Sequence, residues 1–345
     1  MTSSAAGAQE RLWRHEDPEV FGATVLTAAE QLGVQPLAVE KDYWACQALR
    51  ALVTAFPGQI IFKGGTSLEK LRLIQRFSED LDLLVVADFP NERQGRKRLK
   101  EMCSVAAKAL ESEQVGELGG GNLGTLHRKV YLTPPMAETD GIATGLAEPG
   151  RVLIELGQSG GQHPSEPVPV TALLTRQLRA AGFDIAAYDD LRSFEVPVLH
   201  PGRTLLEKLL RVNNFSMDDD ARATEHGWPR IGRQFYDIWA LLGDAQTLAF
   251  LADQSTAGAV LADCYAISEK FQGDRPPPVG GFSRCAAFDP TGPLAPQLRQ
   301  HHDDAMRNLY YGAEPGPTFD DVLERVHANA HPLNVPRVLS SVPLS

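Results

Sequence analysis

Asp80 and Asp82 stand one residue apart in a run, EDLDLLVV (79–86), that is otherwise apolar enough to be a core strand. A buried carboxylate is costly unless it is paired, protonated or bound to a metal, and two neighbouring ones repel each other. In an extended strand alternate side chains share a face, so the two aspartates project together while Leu81 and Leu83 take the other side. Their Cα atoms would lie roughly 6.5–7 Å apart. Carboxylates converging at that spacing can hold one or two hard divalent cations, Mg²⁺ or Mn²⁺. Taken alone, Asp-x-Asp reads as an edge strand with solvated acids.

The residues upstream change that balance. Gly64-Gly65 ends a short apolar strand (58–65) and leads into a helix expected over 67–76, with Leu68, Leu71 and Ile74 on its buried side. Thr66 and Glu69 have the spacing of a capping box. Glycines let backbone approach a phosphate closely, and a helix start offers N–H donors and partial positive charge. Ser67 adds a hydroxyl in the same turn. Glu155, isolated between Ile154 and Leu156 on a strand at 150–158, supplies a third acid. A phosphate cradle followed by an acid platform is what metal-assisted phosphoryl or nucleotidyl transfer needs.

The elements that must position these groups can be read in order. Helical spacing occupies 23–34, 37–55 and a charged stretch at 92–112; strands are expected at 58–65, 79–86, 126–134 and 150–158. EQVGELGGGNLG after residue 112 reads as a loop, and HPSEPVPV as a Pro-rich turn before a strand that runs into the helix 203–215. Beyond about residue 200 the pattern is mainly helical: 232–244, 246–253, 256–271 and 298–311, with a Pro/Gly-rich connection at 273–294. The expected fold class is α+β, a mixed-sheet domain over 1–199 followed by a mainly helical domain over 200–345 that completes the site.

Bulk properties narrow the function classes. The 345 residues carry 33 basic and 44 acidic side chains, a net charge of −11. That disfavours a surface coated for duplex DNA, while a local basic patch remains compatible. Four scattered cysteines form no CxxC pair and are expected to be reduced. No secretory signal and no apolar run of membrane-spanning length is present, so a cytoplasmic protein without a membrane role is expected. GGGNLG (119–124) fits G-x-G-x-x-G formally but lacks the flanking strand and helix of a dinucleotide site. HHDD (301–304) is expected on a solvated helical face rather than at a metal. No G-x-S-x-G, HExxH or P-loop occurs.

The whole stretch FKGGTSLEKLRLIQRFSEDLDL (62–83) resembles the signature of the AbiEii/AbiGii nucleotidyltransferase toxins, a MenT-like group of the DNA polymerase β-type nucleotidyltransferase superfamily. Arg76, Ser78 and Glu79 ahead of the aspartates belong to the form specific to this group. VEKDYW (39–44), RTLLEKLLR (203–211), RQFYDIWALL (233–242) and PTFDDVLERVHANAHPLN (317–334) resemble its further motifs in the same order, so the likeness runs from about residue 36 to 335. It implies a polymerase β-like fold and an enzyme transferring NMP from an NTP to an acceptor. Asp80, Asp82, Lys208 and Asp237 would then be catalytic, and Asp80, Asp82 and Glu155 would be metal ligands. Lys63, Gly64, Gly65, Thr66, Ser67, Arg76 and Ser78 would bind the nucleotide.

Lys208 would neutralise triphosphate charge with Asp237 orienting it, although Arg233 and Asp237 also suit an intrahelical ion pair. Arg76 would contact phosphate or pair with Glu79. Lys41 and Asp42 could support the nucleotide, or Lys41 with Glu40 could be surface charge. Asp218, Asp219 and Asp220 read as a solvated loop in a stretch longer than expected between Lys208 and Arg233. The resemblance further implies a toxin of a toxin–antitoxin or phage-defence pair, a cognate antitoxin as partner, and the tRNA acceptor end as substrate. A patch of Arg93, Arg96, Lys97, Lys100, Arg128 and Lys129 could face RNA or antitoxin. An acceptor hydroxyl on protein or a small molecule, or a non-catalytic module of the same fold, are the alternatives.

Overall fold

In the computed structural model, residues 11–78, 80–137, 150–223, 227–270 and 273–336 are described. Glu79 lies outside them. The N-terminal part contains α1 (Trp13–Glu16), α2 (Pro18–Leu32), α3 (Pro36–Ala55), β1 (Ile60–Lys63), α4 (Gly64–Lys70), β2 (Asp80–Val85), α5 (Glu92–Ala109), β3 (Gln114–Gly120), β4 (His127–Leu132), β5 (Val152–Gly157), β6 (Ser165–Val170), α6 (Leu173–Ala180) and β7 (Phe194–Leu199). There follow α7 (Pro201–Ser216), α8 (Asp219–Ala223), α9 (Gly227–Leu241), α10 (Ala245–Ala252), α11 (Gln254–Ser268), α12 (Ala295–Leu309) and α13 (Phe319–Ala328). This is a mixed α+β architecture around one seven-stranded mixed sheet, ordered β3-β4-β5-β2-β1-β7-β6.

Period-two burial divides the sheet into two faces. Phe62, Leu81, Leu83, Val85, Val130, Ile154, Leu156 and Val198 point to one side and pack with residues of α2, α3, α5 and α6 into the first core. The opposite face carries Ile61, Leu84 and Leu199 as a small cluster. A second core is built from α7, α9, α10, α11, α12 and α13, and Leu68 and Ile74 reach into it from around α4. No described helix is long and apolar enough to cross a membrane.

Two expected loops are strands. EQVGELGG forms β3, the sheet edge, because β4 supplies it with a ladder running from Gln114↔Leu132 to Gly120↔His127. GGGNLG is therefore the end of a strand and its hairpin turn, with Gly121 at φ +85°. SEPVPV forms β6 at the other edge, where the missing N–H groups of Pro167 and Pro169 break no ladder.

The helix expected over 67–76 spans only Gly64–Lys70 and ends where Arg72 adopts φ +61°. No Thr66–Glu69 capping box forms, since both side chains have tertiary partners. Thr66 Oγ1 donates to the Asp80 carbonyl at 2.6 Å, and the Glu69 carboxylate accepts from Arg176 Nη1 and from the Tyr311 hydroxyl, both at 2.9 Å. Asp219 and Asp220 begin the short helix α8 rather than a loop. His302 is buried, with Nε2 2.9 Å from the Pro317 carbonyl, and His301 stacks on Trp228. HHDD thus lies partly inside the fold, and only its acidic half behaves as a solvated face. All four cysteines are buried and free.

Candidate active site

The strand register places four charged residues in one cross-strand row. Lys63 on β1 faces Asp82 on β2, Asp82 faces Glu155 on β5, and Glu155 faces Lys129 on β4. Neighbouring strands stand about 4.8 Å apart, so the row alternates cation, two anions, cation within one sheet width. Lys63 Nζ lies 3.6 Å from Asp82, and Lys129 Nζ lies 2.5 Å from Glu155. Asp82 raises the Lys63 pKa, against the lowering effect of burial. Asp80, two residues before Asp82, shares its face and lies 3.8 Å from Arg233 Nη2 on α9. The two aspartate side chains are 36% and 37% exposed, unlike the leucine between them.

The double glycine is required by close approach. Gly64 has φ +77°, and a Cβ there would sit 3.1 Å from Asp82 Oδ2. At Gly65 a Cβ would come within 2.7 Å of Arg76 Nη2 and 2.9 Å of Ser78 Oγ. The turn is therefore pressed directly against the acids and the segment that leads to them. Ser67 is buried beneath it and donates to the Gly64 carbonyl at 2.9 Å. Thr66 likewise spends its hydroxyl on the backbone entering β2.

Three buried charges from distant parts of the chain meet next to this turn. Arg76 Nε and Nη2 each lie 2.6 Å from a different oxygen of Asp237, a bidentate fork. Lys208 Nζ lies 2.6 Å from Asp237 Oδ2 and donates to Gln234 Oε1 at 2.9 Å. The expected Arg233–Asp237 pair does not form, because α9 turns Asp237 inward while Arg233 faces Asp80. Arg76 is 1% exposed and held by Asp237, with Nη1 donating to the Phe77 carbonyl. Lys208 is buried at the seam between α7 and α9. Burial pushes its pKa down to about 8 despite the attraction of Asp237. Burial alone would raise Asp237, but the Arg76 and Lys208 charges outweigh it and hold that carboxyl at about 2.

Most of these groups line a cleft of about 320 Å³. Lys63, Gly64, Gly65, Arg76, Ser78, Asp80, Asp82, Glu155 and Lys208 face it, whereas Thr66, Ser67 and Asp237 lie behind its wall. α7 and α9 add Thr204, Glu207, Arg211, Arg230, Arg233 and Gln234, which sequence reasoning did not select. A signal for the α9 set exists: Arg230, Arg233, Gln234 and Asp237 repeat at i, i+3, i+4 and i+7, a polar stripe on a helix whose other face is apolar. Basic groups outnumber acidic ones around the cleft, the reverse of the whole chain. Lys41 and Asp42 do not line it. Asp42 is buried against Lys70, and Glu40 accepts from the Ala137 amide at 2.8 Å, so VEKDYW is interior structure rather than surface charge.

Among the described residues no three His, Cys, Asp or Glu side chains converge as a ready-made metal site. The donors nonetheless suit a hard divalent cation: Asp80 and Asp82 present carboxylate oxygens on one face of an open cleft. Lys129 occupies Glu155 Oε1, which leaves Oε2 as the oxygen Glu155 could add to them. On α5, Arg93, Arg96, Lys97 and Lys100 are exposed, with Arg96 and Lys97 beside Glu92 and Glu101; Arg128 and Lys129 are half-buried against Glu117 and Glu155.

Residues 47–325 match the family described as nucleotidyl transferase AbiEii toxin, type IV toxin–antitoxin system. The chain belongs to the AbiEii family. It is thus a member of a nucleotidyltransferase toxin family, as the sequence resemblance implied, and membership brings with it an NTP substrate and an antitoxin partner. No curated protein matches the sequence. Among solved structures this AbiEii chain is similar to JHP933 from Helicobacter pylori, with 11% identity and a TM-score of 0.34 over 86% of this chain and 96% of that one.

Proposed function

We propose that this AbiEii protein transfers a nucleoside monophosphate from an NTP to a hydroxyl at the tRNA 3′ acceptor end, using a divalent cation held by Asp80 and Asp82. What carries the proposal is the meeting of those two aspartates, the Gly64-Gly65 turn and the Lys208–Asp237–Arg76 chain around one cleft. The cation, when bound, supplies neutralisation of phosphate charge and a more acidic acceptor hydroxyl. The hydroxyl oxygen attacks the α-phosphorus in line with the α–β bridging oxygen. The new P–O ester forms, the phosphoanhydride breaks, pyrophosphate leaves, and the hydroxyl proton passes to water in the open cleft.

Backbone N–H groups of the glycine turn hold phosphate oxygens together with Ser78. Lys208 neutralises triphosphate charge as a cation. Asp237 orients Lys208, and Arg76 is a positioning residue that fixes Asp237 rather than a direct phosphate ligand. Arrest of the cell by this transfer, inside the cytoplasm, would be the toxic act that a cognate antitoxin neutralises, and the exposed basic groups of α5 offer that partner or tRNA a surface.

The test is incubation with each α-labelled NTP plus total RNA and total protein. Label is expected in the tRNA band and absent with Asp80→Ala. Label confined to protein or to a small molecule would move the acceptor elsewhere. Growth arrest that survives Asp80→Ala would mean that metal chemistry is not the cause of toxicity.

A further inference from the structure

We propose that a second pocket opening off the catalytic cleft holds the ribose and base of the incoming nucleoside triphosphate; this rests on the transfer reading above. The cleft, at about 320 Å³, lies at the bottom of the roughly 300–1,000 Å³ range of ligand pockets. It has room for a triphosphate and its cations, so the nucleoside must extend beyond it. A pocket of about 610 Å³ adjoins it, walled by α7, α9, α11 and the loop after β5. Lys63, Glu207, Arg211 and Arg230 line both spaces, so the two adjoin across these four side chains.

The chemistry changes along that path. Apart from the fully buried Arg203, the cations of the larger pocket are the three it shares with the cleft. Phosphate therefore belongs at the junction. Away from it the walls are apolar: half-buried Ile267 faces the pocket, with the edges of the buried Leu210, Phe215 and Ile231 beside it, and a flat heterocycle can lie there. The acids there are Asp218 and Asp274, and Asn214 Nδ2 donates to Asp274 at 2.6 Å. A polynucleotide strand would bring a phosphate per residue against those carboxylates. A nucleoside brings none, and its ribose hydroxyls and base N–H groups are donors that carboxylates accept. Glu207 at the junction is held by Arg203 Nε at 3.1 Å, while Arg203 Nη2 is buried without a hydrogen-bond partner.

Ile267 and Ser268 sit half-buried on α11 and are absent from the catalytic cleft. Filling the pocket with Ile267→Trp in the full chain is expected to weaken NTP binding tenfold or more by calorimetry. Binding of inorganic tripolyphosphate, which needs only the cleft, should stay within twofold. Ser268→Trp provides a second filled pocket should Ile267→Trp fail to fold, as judged by circular dichroism. Folded variants that bind NTPs as tightly as the parent overturn the nucleoside placement and leave the transfer proposal standing. A parent protein that binds neither NTP nor tripolyphosphate overturns both.

Discussion

Lys208 is buried between α7 and α9 with its ammonium against Asp237 and Gln234, and its pKa falls to about 8. A lysine is charged below its pKa and neutral above it. If the charged form neutralises triphosphate, kcat/KM of the free enzyme should fall as pH rises through about 8. Lys208→Arg should extend activity to higher pH, since a guanidinium stays protonated. A profile flat to pH 10 in the parent would remove Lys208 from that role. Asp237 titrates at about 2, below the ordinary carboxylate range. Its ion pairs therefore contribute stability that is complete above about pH 4 and is lost as pH falls toward 2. Asp237→Asn strips the partner from two buried cations and should cost about 3–5 kcal/mol in urea unfolding. Arg76→Lys loses the fork but keeps the charge; the alkaline limb set by Lys208 should move, which a merely structural loss would not cause.

At the scale of elements, the β1–α4–β2 unit holds the site by contact rather than by helix propensity. α4 is only seven residues long, and Thr66 ties it to β2 through the Asp80 carbonyl. Gly65→Ala would drive a methyl into Arg76 and Ser78. The expected result is a loss of about 1–3 kcal/mol by overpacking, read from the melting midpoint, with transfer activity falling further than the stability change alone explains. An unchanged midpoint and rate would mean that the turn has more room than its geometry indicates.

At the scale of the molecule, the two cores meet across buried polar links. Phe77 N–H donates to the Leu309 carbonyl at 2.8 Å and Tyr311 N–H to the Gln75 carbonyl at 2.9 Å, so the segment carrying Arg76 is clasped by the C-terminal part of the chain. Glu69 is buried among Lys70, Arg176 and the Tyr311 hydroxyl. Glu69→Ala leaves those cations facing Asp42 alone and should lower stability by about 3–5 kcal/mol, checked by denaturant unfolding. A loss under 1 kcal/mol would show that the cluster relaxes or takes in water. The basic lining of the cleft in a chain of net charge −11 also makes NTP affinity salt-dependent, so binding should weaken as ionic strength rises.

Asp80, Asp82, Glu155 and the paired glycines were legible in the sequence because each is a local exception: acids on apolar strands, and glycines where a strand should continue. Strand periodicity fixes which face they take, and the family resemblance added Lys208 and Asp237. What no local pattern could reveal was the partner of each charge. Arg233 and Asp237 stand one helical turn apart and looked like a pair, yet Arg76, 161 positions away along the chain, takes the aspartate because its planar fork and burial outweigh a solvated i,i+4 contact. β3 and β6 were missed for the same reason, since an edge strand rich in Gly or Pro gains its order from the neighbour it pairs with. The amino-acid order by itself determined the chemistry available and the face on which it lies; only the assembled fold decided which charges meet, because long-range pairing depends on packing between segments that short-range spacing does not encode.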